Sequence, residues 1–215
     1  NIEESSNEIK EALFSLENRT GEIVFDETKS PRPTQAYLKS LIARKIEIEE
    51  FEGIMELYLL DLTTREELHF ALDDGEEITP DIAFTAASTM KIPIMVSTFI
   101  ERDLPLPDSV SADLEFMIEQ SENTASDRLM EYLDGNLGPL TVTNNLQNLG
   151  LENSFIAGFY YFGAPLLQLF ETTANTRLDV NVGPDVYNQT TPSEIGMLLD
   201  DIYQCANNNG GTLIA

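Results

Sequence analysis

The chain has 215 residues, enough for one or two compact domains with a sizeable core, and its apolar share of 42% is ordinary for a globular protein. Thirty-eight acidic and twelve basic side chains leave a net charge of −26, which repels nucleic acid and anionic membrane surfaces. No apolar run approaches the ~18 residues of a membrane span, so nucleic-acid binding and membrane insertion are set aside, and the acidity reads as solubility or a salt-rich habitat.

Residues 1–33 read as an extension ahead of the main fold. The polar, acidic start Asn1-Ile2-Glu3-Glu4-Ser5-Ser6 shows no signal peptide, as expected of a mature or trimmed form. Ile9 to Leu16 suggests a short helix and Glu22-Ile23-Val24-Phe25 a strand, before Pro31 and Pro33 break the chain. Tyr37, Leu38, Leu41, Ile42 and Ile46 then recur at helical spacing and predict one apolar face. Ile54 to Leu62 is rich in strand formers, Asp61 to Glu66 reads as a turn, and a second strand follows at 68–72, closed by Asp73-Asp74-Gly75.

The next segment, Phe84 to Ile94, carries the first chemical signal. Ser88 and Lys91 stand at i and i+3 where an apolar run begins, so on a helix their side chains share a face. A serine needs a base within hydrogen-bond reach to become a nucleophile. A lysine can be that base if burial lowers its pKa. Pro93 places the helix start very near Ser88, because a proline is tolerated only in the first turn or two. Backbone N–H groups at such a terminus can help hold an oxyanion.

Composition narrows the alternatives. The chain has five lysines, one histidine (His69) and one cysteine (Cys205). No close-spaced His, Cys and carboxylate cluster suggests a zinc site, and no cofactor is implied. His69 falls in the strand at 68–72, which makes it a poor candidate for a Ser-His-Asp arrangement. Cys205 is expected to pack as a small apolar group on the last helix, and a lone thiol fits an extracellular or periplasmic protein without structural disulfides. Taken alone, S-x-x-K also fits a helix start followed by a solvated lysine.

Further along, Leu104-Pro105-Leu106-Pro107 breaks the chain, and helices are predicted at Ala112–Ile118, Thr124–Leu133 and Pro139–Leu149, the last stopped by Gly150. Between the first two lies Ser121-Glu122-Asn123, a one-residue variant of the S-D-N element that accompanies S-x-x-K in β-lactamases and penicillin-binding proteins. Thr191-Pro192-Ser193-Glu194 is a strong helix start, with Met197, Leu198, Ile202 and Tyr203 as its apolar face, and Gly210-Gly211 ends the region.

With both motifs and the order of elements from about Gln35 onward, the chain resembles the penicillin-recognising serine acyltransferases, and most closely their class A β-lactamase-like branch. The resemblance implies a mixed α/β (α+β) fold of the β-lactamase/transpeptidase type: an antiparallel sheet flanked by helices, a helical domain, and an active site in the seam between them. It implies the division 1–33 extension, 34–87 helix and hairpin, 88–191 helical domain, and 192–215 start of a returning α/β part. It implies Ser88 as nucleophile, Lys91 as base, Ser121 as the bridging serine that relays a proton to the leaving nitrogen, and Asn123 as the group that holds substrate and Lys91. The substrate would be a small molecule or peptide with an amide bond, such as a β-lactam or a D-Ala-D-Ala peptide.

Two departures from the family pattern stand out. The active β-lactamases carry a water-activating glutamate ahead of the Thr-Thr-Pro helix, yet Ile156 to Gly163 holds no carboxylate, and Glu171 and Asp179 fall outside the local pattern. The K-[ST]-G tripeptide is also missing from this sequence, as if a C-terminal part with its strands were absent. These departures predict poor deacylation and little activity for the chain by itself. They also keep open a non-catalytic β-lactamase-fold surface or binding protein. Another copy of the chain, or a separate C-terminal fragment, would cover the sheet edge left open.

Overall fold

A computed structural model describes residues 33–209. The helix expected at Ile9–Leu16, the strand at Glu22–Phe25 and the stop at Gly210-Gly211 lie outside the described residues. The chain divides into two compact units, Asn1–Leu38 and Lys39–Ala215. Helix α1, Gln35–Ile48, opens at the end of the first, where Thr34 Oγ1 accepts from the Tyr37 N–H (3.2 Å), and its residues from Lys39 on belong to the second. No residue of α1 is buried, and Tyr37 and Leu41 of its predicted inward face stand exposed.

In the second unit, strands β1 (Ile54–Leu60) and β2 (Glu67–Asp73) form the predicted hairpin, with Ile54 opposite Asp73 and Leu60 opposite Glu67. The Asp61 carboxylate closes the turn by accepting from the Thr63 and Thr64 N–H groups (2.7 and 3.0 Å). Asp73-Asp74-Gly75 does not end the sheet. Asp74 and Gly75 both take positive φ (48° and 85°), which matches the right-handed twist of a tight hairpin, and β3 (Glu76–Ile78) pairs back on β2. Within this unit Lys39 pairs with Glu77 (2.6 Å) above the Phe70 ring.

A second antiparallel sheet has no counterpart in the sequence reading. Its strands are β4 (Phe84–Thr85), β5 (Phe155–Ile156) and β6 (Asn188–Thr190), in the order β4-β6-β5. Strands of two and three residues are too short to show an alternating pattern.

A 3-10 turn over Ala87–Met90 leads into α2, Lys91–Glu101. Helices α3 (Asp108–Glu119), α4 (Asn123–Asp134) and α5 (Gly138–Asn148) follow. Helix α3 starts four residues before the predicted Ala112, because the Pro107 carbonyl already accepts from the Val110 and Ser111 N–H groups (both 3.0 Å) and Asp108 suits the positive end of the dipole. The core gathers Met90, Ile94, Met117, Leu129, Met130, Val142 and Leu146 from these helices with Leu198 from α6, Pro192–Ala206.

Thr191 caps α6, its Oγ1 accepting from the Glu194 N–H (3.3 Å). The Glu194 carboxylate does not fold back on the cap. It is buried, and it accepts from the Asn153 N–H (2.8 Å), Asn153 Nδ2 (2.9 Å) and Ser154 Oγ (2.5 Å), which fixes the approach to β5. Gly196 meets the Tyr58 ring so closely that a Cβ there would stand 2.2 Å from Cδ1. Leu198 is buried, but Met197, Tyr203 and Cys205 are exposed, so the thiol does not pack inward as expected.

Gly138 opens α5 against the backbone of α4, where an added Cβ would lie 1.9 Å from the Met130 carbonyl oxygen. Backbone cannot swing aside as a side chain does, so Gly138→Ala is expected to cost about 2 kcal/mol or more in urea denaturation. A loss under about 0.5 kcal/mol would contradict this packing.

Candidate active site

The segment that carries Ser88 is fixed from both sides before it reaches the helix. Glu56 on β1 points at the 81–82 backbone, its Oε1 and Oε2 accepting from the Asp81 and Ile82 N–H groups (2.9 and 2.8 Å). Arg177 donates to the carbonyls of Thr79 (2.9 Å) and Pro80 (2.7 Å). Pairing of β4 with β6 then carries the chain to Ala87, whose φ of 48° is left-handed and costly for a residue with a Cβ. Both polar groups of Ala87 are held by side chains. Its N–H donates to Asn188 Oδ1 (2.6 Å) and its carbonyl accepts from the Tyr160 hydroxyl (3.0 Å).

Ser88 follows in the 3-10 turn and is exposed, while Lys91 begins α2 and is 3% exposed. The structure brings all four predicted site residues together. Lys91 Nζ lies 3.2 Å from Ser88 Oγ, 3.0 Å from Ser121 Oγ and 2.8 Å from Asn123 Oδ1, and it also donates to the Ser121 carbonyl. An ammonium has three N–H bonds for these four oxygens. A neutral amine instead has a lone pair free to accept the Ser88 or Ser121 hydroxyl. Ser121 reaches the amine from a left-handed backbone (φ 55°) just ahead of α4, and Asn123 is the first residue of that helix. Burial lowers the Lys91 pKa below the ordinary lysine value, and the charge of Asp127 works the other way. That is the condition a lysine base requires.

Two groups at this site escaped the sequence reading. Asp127 sits one turn beyond Asn123 on the same face of α4 and is buried. Its Oδ1 accepts from the Tyr160 N–H (2.7 Å), and the Tyr161 N–H also bonds the carboxylate. Burial raises its pKa above the usual carboxylate range, against those bonds and Lys91. The Tyr160 ring lies 5.4 Å from Lys91 Nζ, and burial, then Asp127, pushes its hydroxyl pKa well up. The spacing of Asn123 and Asp127 was a readable signal for the first. Nothing local marks Tyr160, which arrives from a connection between strands that has no regular structure.

His69 lies on β2, where its Nε2 is 2.8 Å from Glu56 Oε1. With Asp81 these two residues place three ligand-type atoms within 4.8 Å of one another. Their positions at 56, 69 and 81 are too scattered for a spacing rule to find. Both Glu56 oxygens serve backbone N–H groups, and one also meets the imidazole, so the cluster anchors residues 81–82 to the sheet. Asp179 is exposed and pairs with Arg177 (2.6 Å), which lowers its pKa.

The fold is β-lactamase-like: a mixed α/β chain with antiparallel sheets and several helices. A β-lactamase from Desulfarculus baarsii superposes with a TM-score of 0.50 at 17% identity, over 80% of this chain and 62% of that one. A β-lactamase from Streptosporangium roseum gives 0.49 at 17% identity, over 79% and 62%. Penicillin-binding protein D2 from Listeria monocytogenes, bound to cefotaxime, gives 0.43 at 14% identity, over 74% and 65%. The chain thus spans less than two thirds of the length of these solved structures. No protein-family model and no curated protein sequence matches it.

Because the folded-state pKa of Lys91 is lowered, the unfolded chain binds more protons between that value and the ordinary lysine value of ~10.4, and stability rises with pH across the window. Urea denaturation of the wild type and of Lys91→Met, taken as a difference at each pH, isolates this group. The wild type is expected to gain on the variant as pH rises toward the ordinary value. A flat difference, or one that falls, would show that the amine is not desolvated in the fold.

Proposed function

We propose that this protein is a serine acyltransferase or hydrolase of the β-lactamase/D,D-peptidase type, acting on amide bonds through a Ser-Lys acyl-enzyme. The observation that carries the reading is the convergence of Ser88 Oγ, Ser121 Oγ and Asn123 Oδ1 on the buried Lys91 amine. Neutral Lys91 takes the proton of Ser88 as Oγ attacks the carbonyl carbon. The backbone N–H of Ser88 helps hold the oxyanion, and Asn123 holds the substrate amide. Ser121 then passes the proton from Lys91 to the nitrogen as the C–N bond breaks, which leaves an ester on Ser88 and a free amine.

Release of that ester needs an activated water. Residues 156–163 supply no carboxylate for it, and Tyr160 closes over Lys91 on that side with a hydroxyl committed to Ala87. We therefore read the acyl-enzyme as long-lived and the substrate as a β-lactam or a D-Ala-D-Ala-type peptide. A place outside the cytoplasm, extracellular or periplasmic, belongs to the same reading. So does completion of the pocket wall by a second copy or a separate C-terminal segment. The same closure by Tyr160 favours a second reading, a binding protein that keeps the fold and holds its ligand without reacting.

Incubation with a fluorescent penicillin, followed by peptide mass spectrometry, separates the two. The first reading expects an adduct on Ser88 that persists through gel filtration, is lost in Ser88→Ala, and forms at least about a hundred-fold more slowly in Lys91→Ala. A thermal shift with the penicillin but no covalent adduct, in a preparation that includes the segment completing the pocket, would sink the acyl-enzyme and leave the binding protein.

A further inference from the structure

The Ser88–Lys91 pair has a buried carboxylate behind it that the proposed proton path does not use. Asn123 and Asp127 are four residues apart, so they rise from the same face of α4, and Asn123 Oδ1 is 2.8 Å from Lys91 Nζ. From that position Asp127 Oδ1 takes the Tyr160 N–H at 2.7 Å. Tyr160 in turn lays its ring 5.4 Å from Lys91 Nζ and donates its hydroxyl to the Ala87 carbonyl, one residue before Ser88. The contacts form a closed circuit: Lys91, Asn123, one turn of α4, Asp127, Tyr160, Ala87, Ser88. A single carboxylate anchors the part of it that comes from the irregular connection.

We propose that Asp127 is a positioning residue for Lys91, holding the Tyr160 segment against the amine and supplying the negative charge that faces it. The proposal rests on the Ser-Lys reading for its consequence in catalysis, but not for its geometry. Among the described residues, the groups that face Lys91 are Ser88, Ser121 and Asn123, which carry no charge, Tyr160 from the connection after β5, and Asp127 from α4. Glu131, one turn further along α4, faces Asp127. Among the described residues, Asp127 is thus the carboxylate whose charge acts on the amine. Burial and Asp127 pull Lys91 in opposite directions, and the carboxylate keeps the resting amine protonated further up the pH scale than its dry surroundings alone would.

The test reads Lys91 directly. In protein carrying lysine labelled with carbon-13 at Cε, the five lysine signals are followed against pH, with Lys91 assigned by its loss in Lys91→Met. In Asp127→Asn, which keeps an acceptor for the Tyr160 N–H, the Lys91 midpoint is expected to move to lower pH. The neutral fraction at a pH below the midpoint should rise about five-fold or more. Asp127→Glu, which restores the charge, should bring the midpoint back toward the wild type. In the unaltered protein the Lys91 signal should show a second inflection in the acid range as Asp127 takes its proton. That arm needs no substitution and decides the matter even if a variant fails to fold. A midpoint that stays put in Asp127→Asn, or moves equally in Asp127→Glu, overturns the proposal, as does a wild-type curve with no acid inflection.

The pH profile of penicillin adduct formation keeps this inference apart from the functional reading. If Lys91 shifts in Asp127→Asn and no adduct forms in any variant, the acyl-enzyme fails and the role of Asp127 stands. If adducts form and the acid limb of their rate does not move with the substitution, the role of Asp127 fails and the acyl-enzyme stands.

Discussion

The placement of an amine where water hardly reaches governs this structure. Lys91 is 3% exposed at the head of a helix whose next inward residues are Pro93, Ile94 and Val96. An isolated ammonium in such a place is expensive, and the fold answers with oxygens rather than with a tight ion pair. Those oxygens come from two separate stretches: Ser88 on the same helix approach, and Ser121 with Asn123 at the mouth of α4. Each stretch takes a left-handed residue to deliver them, Ala87 on one side and Ser121 on the other. Strain of this kind persists only where the surroundings over-determine it. At Ala87 the over-determination is visible, since Asn188 holds the N–H and Tyr160 the carbonyl.

What was legible in the sequence follows from how local each signal is. Ser88 and Lys91 are three residues apart, so helix geometry says that they share a face, and Ser121 and Asn123 were legible as a variant of the S-D-N element that accompanies such a pair. The long periodic helices and the first hairpin announce themselves in the same way. The second sheet does not, because β4, β5 and β6 draw their pairing from positions near 85, 155 and 189, and none is long enough to show a period. Asn188 and Tyr160 reach Ala87 across 101 and 73 residues, distances over which one sequence carries no pairing rule. Glu194 illustrates a different failure. Its place three residues after Thr191 reads as half of a capping box, and the cap does form, but Ser154 and Asn153 bind the carboxylate more completely than the cap would.

Carboxylates take a larger part in the architecture than the acidic composition suggests. Most of the acidic surplus is solvated, but Glu56, Asp127 and Glu194 are turned inward, and each accepts from backbone N–H groups of a distant segment. Glu56 fixes residues 81–82, Asp127 fixes residues 160–161, and Glu194 fixes residue 153. All three tether irregular chain to regular elements, where no ladder or helix could satisfy those amides. One carboxylate that accepts such N–H bonds can thus replace a short strand as the device that pins a loop. Near the site this has a chemical consequence that it lacks elsewhere, since the anion at 127 also faces the amine of Lys91.

The whole-protein charge then sets a contrast of scale. A net charge of −26 favours proton uptake everywhere on the molecule and should raise lysine pKa values, not lower them. That field is carried mostly by exposed groups, and at physiological ionic strength it fades over ~8 Å. The desolvation of Lys91 is a contact effect of the chain packed around it, and salt does not reach it. The two influences therefore separate with ionic strength: added salt weakens the distant pull toward protonation and leaves the local push toward the neutral amine intact. The local push on the Lys91 amine is accordingly tied to how firmly residues 121–123 and 160–161 close around it, apart from the acidic surface.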